Sequence, residues 1–395
     1  MRFVVLAALL AGVASAQDAQ LAALHGTLVE LRAQAPDADT MGASEKLTVA
    51  NHQLRDWIEG QLASLKDGDD TTAFAVQINE ALKRVTVGAP WDDQNFLGSI
   101  DDVRVERQGI LIVTTGVGIL CQSDESAYGY QYIDGEWRRV WESEQNDYRK
   151  EQYHPQIITA VHVWQRYENG RESGPPFVMT LGHLWGCAST WHDVTYRVWR
   201  VDKPRPKLLI DGLEPAWMRT GTFIVGSISQ RYDHKTVDAL IEFTQGAIDV
   251  GVHNREVVRH FVIDGDRITR VDPVALSPRD FVDEWLRRPW EESARWSASV
   301  ALKQPYNNLH SNFGSAQFGE TMHCATPDLW QVSLTPTDSK RNFAELPKRY
   351  LLVRWRPPYH FTMVGISDKP WARCTEIDPD ADAWRTLFNT QDWRR

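Results

Sequence analysis

The sequence predicts a mainly β protein with some α, built on three four-stranded antiparallel repeats that are β-propeller-like and preceded by a small helical region. Three observations predict it. Beyond Pro90 the chain consists of short β-branched and aromatic runs bounded by Gly, Asp, Asn and Pro, the pattern of strands and tight turns. Thr-x-Gly closes a strand-like run at 114–116, 180–182 and 244–246, the glycines standing 66 and 64 residues apart. A second run then ends at Asp134, Asp202 and Asp264, which follow those glycines by 18, 20 and 18 residues. Four strands at this period form the unit of a propeller, whose blades bury their faces against each other. A packed antiparallel β-sandwich is the alternative.

The elements follow in order. Arg2, the apolar run Phe3–Val13 and the small residues Ala14-Ser15-Ala16 have the layout of a secretory signal over 1–16, cleaved before Gln17. That run is well short of the roughly 20 apolar residues a membrane span needs. Removing it takes away Arg2 and no acid, so the formal charge moves from −10 to −11. An acidic chain without a basic tract offers no surface for nucleic acid. The location expected is extracytoplasmic, periplasmic or secreted, with no membrane span.

Residues 17–88 read as helical: Leu21, Leu24, Leu28 and Leu31, then Leu54, Ile58 and Leu62, recur at spacings of three and four. The β-repeat region is placed at 89–275. In each copy the third and fourth strands form a hairpin, clearest in GYQYIDGEWRRVW at 129–141. Asp134-Gly135 and Asp264-Gly265 are type I′ signals, whereas Asp202-Lys203-Pro204 must turn differently. A helical connector is expected over 276–300. There Ser277 can cap, Pro278 suits the first helical position, Asp280 faces the positive end of the dipole, and Phe281 and Trp285 share a face. Residues 303–320, rich in Asn, Ser and Gly, read as a loop. The C-terminal β/loop region, 301–395, carries strand-like runs at 329–335, 350–355 and 361–366 that would complete the β architecture.

Seventeen Trp residues read first as core, because each buries a large area. Four Cys without a C-x-x-C pair favour disulfides in an oxidising compartment. Cys121 and Cys187 each follow a marker glycine by five residues, which pairs them and leaves Cys324 with Cys374.

Familiar catalytic signatures are absent from the sequence: no G-x-S-x-G, no H-E-x-x-H, no phosphate-cradling glycine loop. His183, Cys187 and His192 do not have zinc-site spacing. The acids at 378–382 lack the glycine a calcium loop needs at its sixth position. No metal and no cofactor is expected. Any ligand should meet the links between the second and third strands of each repeat. These bring forward Asp124, Glu125, Trp191, His192, Asp193, Asp249, His253 and Glu256. The function expected is non-catalytic binding of a glycan or an envelope protein. The alternative is a glycosidase-like hydrolase, which needs two carboxylates about 5–10 Å apart in a cleft.

Overall fold

The computed structural model describes residues 2–33, 45–87, 97–119, 122–144, 156–168, 171–184, 191–217, 224–231, 235–245, 255–271, 275, 277–310, 313–338, 344–356 and 360–377. The chain is mainly β with few helices, and divides into two compact units at Glu214 and Pro215.

In the first unit, α1 (Arg2–Ala33), α2 (Glu45–Leu62) and α3 (Thr71–Leu82) precede β1 (Arg104–Gln108), β2 (Ile110–Ile119), β3 (Gln122–Ile133) and β4 (Glu136–Ser143). These strands form one antiparallel meander. The expected helical face is real: Leu24, Leu28, Leu31, Leu54, Ile58 and Leu62 are all buried. That face packs on Leu111, Val113, Val117, Tyr128 and Tyr130 of the sheet.

The second sheet runs β5 (Gln156–Trp164), β8 (Phe177–Leu184), β9 (Trp191–Arg200) and β10 (Lys207–Trp217), again a meander. A small hairpin, β6 (Tyr167–Glu168) with β7 (Arg171–Glu172), interrupts the β5–β8 link. Ile110, Ile112, Ala127 and Trp141 pack against Ile158, Val178 and Trp199. The indoles of Trp141 and Trp199 meet edge to face at 5.3 Å. The first sheet is therefore a middle layer, helices on one face and the second sheet on the other. This explains why β2 is buried at every position and why its sequence, ILIVTTGVGI, lacks alternation.

In the second unit, β11 (Val225–Gln230), β12 (Val237–Gln245), β13 (Arg255–Asp264) and β14 (Arg267–Val271) form the third four-stranded meander. Next come α4 (Pro278–Arg287), α5 (Trp290–Ser293) and α6 (Lys303–His310). The rest is a six-stranded sheet of β15 (Phe313–Cys324), β16 (Leu329–Asp338), β17 (Ala344–Glu345), β18 (Arg349–Arg356), β19 (His360–Ser367) and β20 (Cys374–Ile377). No sheet closes into a barrel among the described residues. The cap on α4 is as expected: Ser277 Oγ accepts from Asp280 N at 3.0 Å. Phe281 and Trp285 are buried against the six-stranded sheet, with Phe281 stacked on Phe361 at 5.3 Å.

The loop expected over 303–320 is instead α6 and most of β15. Tyr306 and Leu309 hold α6 in place by burial, with Tyr306 edge-on to Trp285 at 4.9 Å, so packing overrides a composition poor in helix formers. In β15, Ala316 and Phe318 are buried around an exposed Gln317, a period-two pattern hidden by the polar residues beside it. The turn chemistry agrees with expectation at Asp134 and Gly135, whose φ of 55° and 89° are those of a type I′ turn, while Lys203-Pro204 turns differently through a cis peptide bond. At Asp264-Gly265 the expected type I′ turn is not formed: Asp264 still pairs with Arg267, so Gly265 and Asp266 are the central residues, and only Gly265, at φ 59°, is positive, the type II′ pattern.

Cys324 and Cys374 form the expected disulfide. Cys121 and Cys187 lie outside the described residues, as do the acids at 378–382. Of the Trp residues, Trp57, Trp141, Trp285 and Trp355 are among the largest fully buried side chains, while Trp371 is exposed. No described helix is long and apolar enough to cross a membrane.

Candidate functional site

The marker glycines show where chemistry gathers in the first unit. Gly116 pairs with Glu125 across β2 and β3, and Gly182 pairs with Thr195 across β8 and β9. A Cβ on Gly116 would sit 2.6 Å from Asp101 Oδ2 and 3.1 Å from Glu125 Cγ, and one on Gly182 would run into the Ile157 carbonyl. Glycine is needed at both places because another group occupies the space. Gly246, the third marker, lies outside the described residues.

Around Gly116, a short segment adds to the strand edge: Ile100 bridges Val117, and Asp101 N donates to Gly116 O at 3.0 Å. This brings the Asp101 carboxylate beside Glu125. Asp124, one residue earlier on β3, faces the other way and is fully buried. Its Oδ2 accepts from Asn51 Nδ2 of α2 at 3.3 Å, and its Oδ1 accepts from Gln156 N of β5 at 3.2 Å. Glu125 Oε2 accepts from Ile158 N at 2.7 Å and from Arg104 Nη2 at 3.4 Å. Arg104 Nη2 also donates to Ile158 O at 3.1 Å, so one guanidinium ties β1, β3 and β5 together.

Farther along, the Gln108 side chain does the work of a strand. Its Nε2 donates to Val161 O at 3.1 Å and its Oε1 accepts from Val163 N at 3.0 Å. Between β1 and β5 lies a cavity of about 190 Å³ lined by Arg104, Gln108, Thr114, Ile158 and His162, among others.

The electrostatics follow from burial. Burial pushes the Glu125 carboxyl up to about 7; the Arg104 guanidinium and the Ile158 N–H pull it down, and Asp101 and Asp124 add to the rise. Asp101 is raised as well, by burial first, against the Ser123 hydroxyl and Arg104. A carboxyl raised by folding takes up a proton in the folded chain, so stability falls as pH climbs from the ordinary 4.5 toward about 7. Glu125→Gln removes this uptake. Across that interval the parent's urea midpoint should decline relative to the variant's, and parallel pH profiles would contradict the assignment.

The other expected ligand residues are placed less fully. Asp193 is half-buried near the start of β9, two strands across from Gln156, and so lies at the same end of the second sheet as the partners of Asp124 and Glu125. Trp191 and His192 begin β9, but their side chains lie outside the described residues. Asp249 and His253 lie outside them entirely. Glu256 of β13 pairs with Thr244 of β12 in the second unit, its side chain again not described. Sequence reasoning missed Asp101, Arg104, Asn51 and Gln156. Only contacts far along the chain recruit them, although Asp101 does lie just before β1 and Arg104 begins it.

No protein-family model and no curated protein sequence matches the chain. Among solved structures, it is similar to an α-L-arabinanase of Penicillium chrysogenum complexed with arabinobiose, at 8% identity and a TM-score of 0.26. That match covers 66% of this chain and 65% of the arabinanase. A protein solved as an RGII complex matches at 11% identity and a TM-score of 0.26, covering 77% of this protein and 99% of its own length. A structure described as a glycoside hydrolase matches at 12% and 0.23, covering 79% and 99%. Superposition at this level does not establish a shared fold.

Proposed function

We propose that the chain is exported, cleaved after Ala16, and acts outside the cytoplasm as a binding protein for a glycan or an envelope protein. On this reading its ligand meets the links between the second and third strands of each repeat, and the repeats follow one another in propeller-like fashion. The observation that carries the proposal is the use made of the first copy's acids. Asp124 and Glu125 accept from α2, β1 and β5, and so fasten the end of the first sheet to its neighbours. They make a rigid platform, and links carried on a rigid scaffold are where binding groups concentrate. Packing of the second sheet on the first within one unit supports the blade-like reading of those two repeats.

The test is to change Trp191, Asp193 and Glu256 singly to Ala and measure binding across a panel of glycans and envelope extracts. A ligand that binds all three variants as tightly as the parent would exclude this face. N-terminal sequencing of exported protein should begin at Gln17.

A hydrolase is the second reading, favoured by one observation: a carboxyl near pKa 7, Glu125, beside a second carboxyl, Asp101. Such a group is poised to give up a proton near neutral pH. Under that reading, Glu125→Gln and Asp101→Asn each lower the release of reducing ends from a polysaccharide panel by about a hundredfold or more. A parent protein that releases none fits binding alone.

A further inference from the structure

At the other end of β9 from Trp191, a groove of about 840 Å³ runs between the first sheet and the turns of the second. Its walls are Gln131, Arg139, Trp141 and Glu142 of β3 and β4, the Gly174–Pro176 stretch before β8, and the β9–β10 turn from Arg200 to Pro206. The volume falls in the range of a small-ligand site, roughly 300–1,000 Å³. We propose that this groove is a binding site for a short acidic oligosaccharide, separate from the face at the other end.

Three features carry the proposal. First, donors and acceptors are held in fixed pairs. Arg200 grips Asp202 with Nε at 2.8 Å and 3.0 Å and Nη2 at 2.8 Å, and Arg139 lies 3.1 Å from Glu59 and 3.4 Å from Glu142. A guanidinium beside a carboxylate offers a donor and an acceptor at once, which matches neighbouring sugar hydroxyls. Second, Pro175, Pro204 and Pro206 line the groove with rings that are partly or wholly exposed. Proline has no N–H, so these positions give an added peptide strand few main-chain partners, while the ring C–H surface can lie against a pyranose face. Third, Lys203 is exposed on the turn, between Asp202 and Pro204, and makes no ion pair among the described residues. It shares the groove lining with Arg139 and Arg200, whose guanidinium groups are already matched to carboxylates. A ligand carboxylate is its natural complement.

Calorimetry on the full mature chain tests this with tetramers of galacturonate, mannuronate and glucuronate. The galacturonate methyl ester, which keeps the hydroxyls and loses the charge, and an uncharged cello-oligomer serve as comparisons. At least one uronate should bind, with its ester or the uncharged oligomer about tenfold weaker. Lys203→Glu should weaken the uronate by about tenfold or more and Lys203→Arg should retain it, while Asp202→Asn weakens acid and ester alike. Trp191→Ala should leave this binding unchanged, which separates the groove from the face proposed above. Absence of binding to all three uronates, equal binding by Lys203→Glu, or equally tight binding of polyglutamate would each overturn the proposal.

Discussion

Glu284→Ala is expected to lower the free energy of unfolding by about 3–5 kcal/mol, the cost of removing one partner from a buried ion network. Glu284 is fully buried on α4. Its Oε2 lies 2.6 Å from Arg255 and 3.3 Å from Arg259, and its Oε1 lies 2.7 Å from Arg270 and 2.8 Å from Arg288. Asp283 beside it meets Arg255 at 2.8 Å and Arg287 at 2.7 Å. Arg255 and Arg259 are themselves almost wholly buried. Without the carboxylate, several guanidinium groups keep their desolvation cost and lose their counter-charge.

Burial alone would raise the Glu284 carboxyl. Arg259, Arg270, Arg255 and Arg288 outweigh it and hold the carboxyl well below its ordinary 4.5. A carboxylate depressed by folding stabilises the chain above its unfolded pKa, and that contribution is lost as pH falls toward the folded one. The parent should therefore lose stability in acid, below about pH 4.5, more steeply than Glu284→Gln. Urea unfolding followed by Trp fluorescence reads both effects. A loss under about 1 kcal/mol for Glu284→Ala would mean that water reaches the network and that the burial argument fails.

This network also shows how far the sequence can be read. Each part has a local signal: Arg255 and Arg259 stand at even spacing on a strand, and Asp283-Glu284 sit on an amphipathic helix. Nothing local says that strand and helix face each other. The hairpin at Asp134-Gly135 was legible because a type I′ turn is decided by the residues inside it. The cap at Ser277 was legible for the same reason. Four-strand periodicity was legible because Thr-x-Gly recurs at nearly one spacing, and at Gly116 and Gly182 it marks a close approach that only glycine allows.

The roles of Asp124 and Glu125 were not legible. Their residue types suggest ligands, yet their oxygens face Asn51, Gln156 and Ile158, which stand 31 or more residues away in the chain. Polar composition also hid α6 and β15, where only burial of Tyr306, Leu309, Ala316 and Phe318 decides the conformation. Short-range chemistry is written locally, and partner choice across sheets is not.

Replacing Cys324 and Cys374 together by Ala should cost about 2–4 kcal/mol, the next largest effect. The bridge joins opposed positions on β15 and β20 across a sequence separation of 50. Between them lie β16, β17, β18 and β19, so the cross-link closes most of the six-stranded sheet into one loop. Without it, the unfolded chain regains the freedom of a loop that long, which the chain-entropy account puts at about 4 kcal/mol. Both cysteines are nearly buried among Leu352, Met322, Leu329 and Val364, so some packing is lost as well. Because β20 pairs, among the described residues, only with the end of β15, it should separate first in the variant. Amide exchange ought to show β20 opening well before β16 and β18, while the parent keeps all three protected. The double variant is preferable to a reductant, which would act on every thiol pair at once. An unfolding free energy within about 1 kcal/mol of the parent, with β20 still protected, would show that strand pairing alone holds this edge of the sheet.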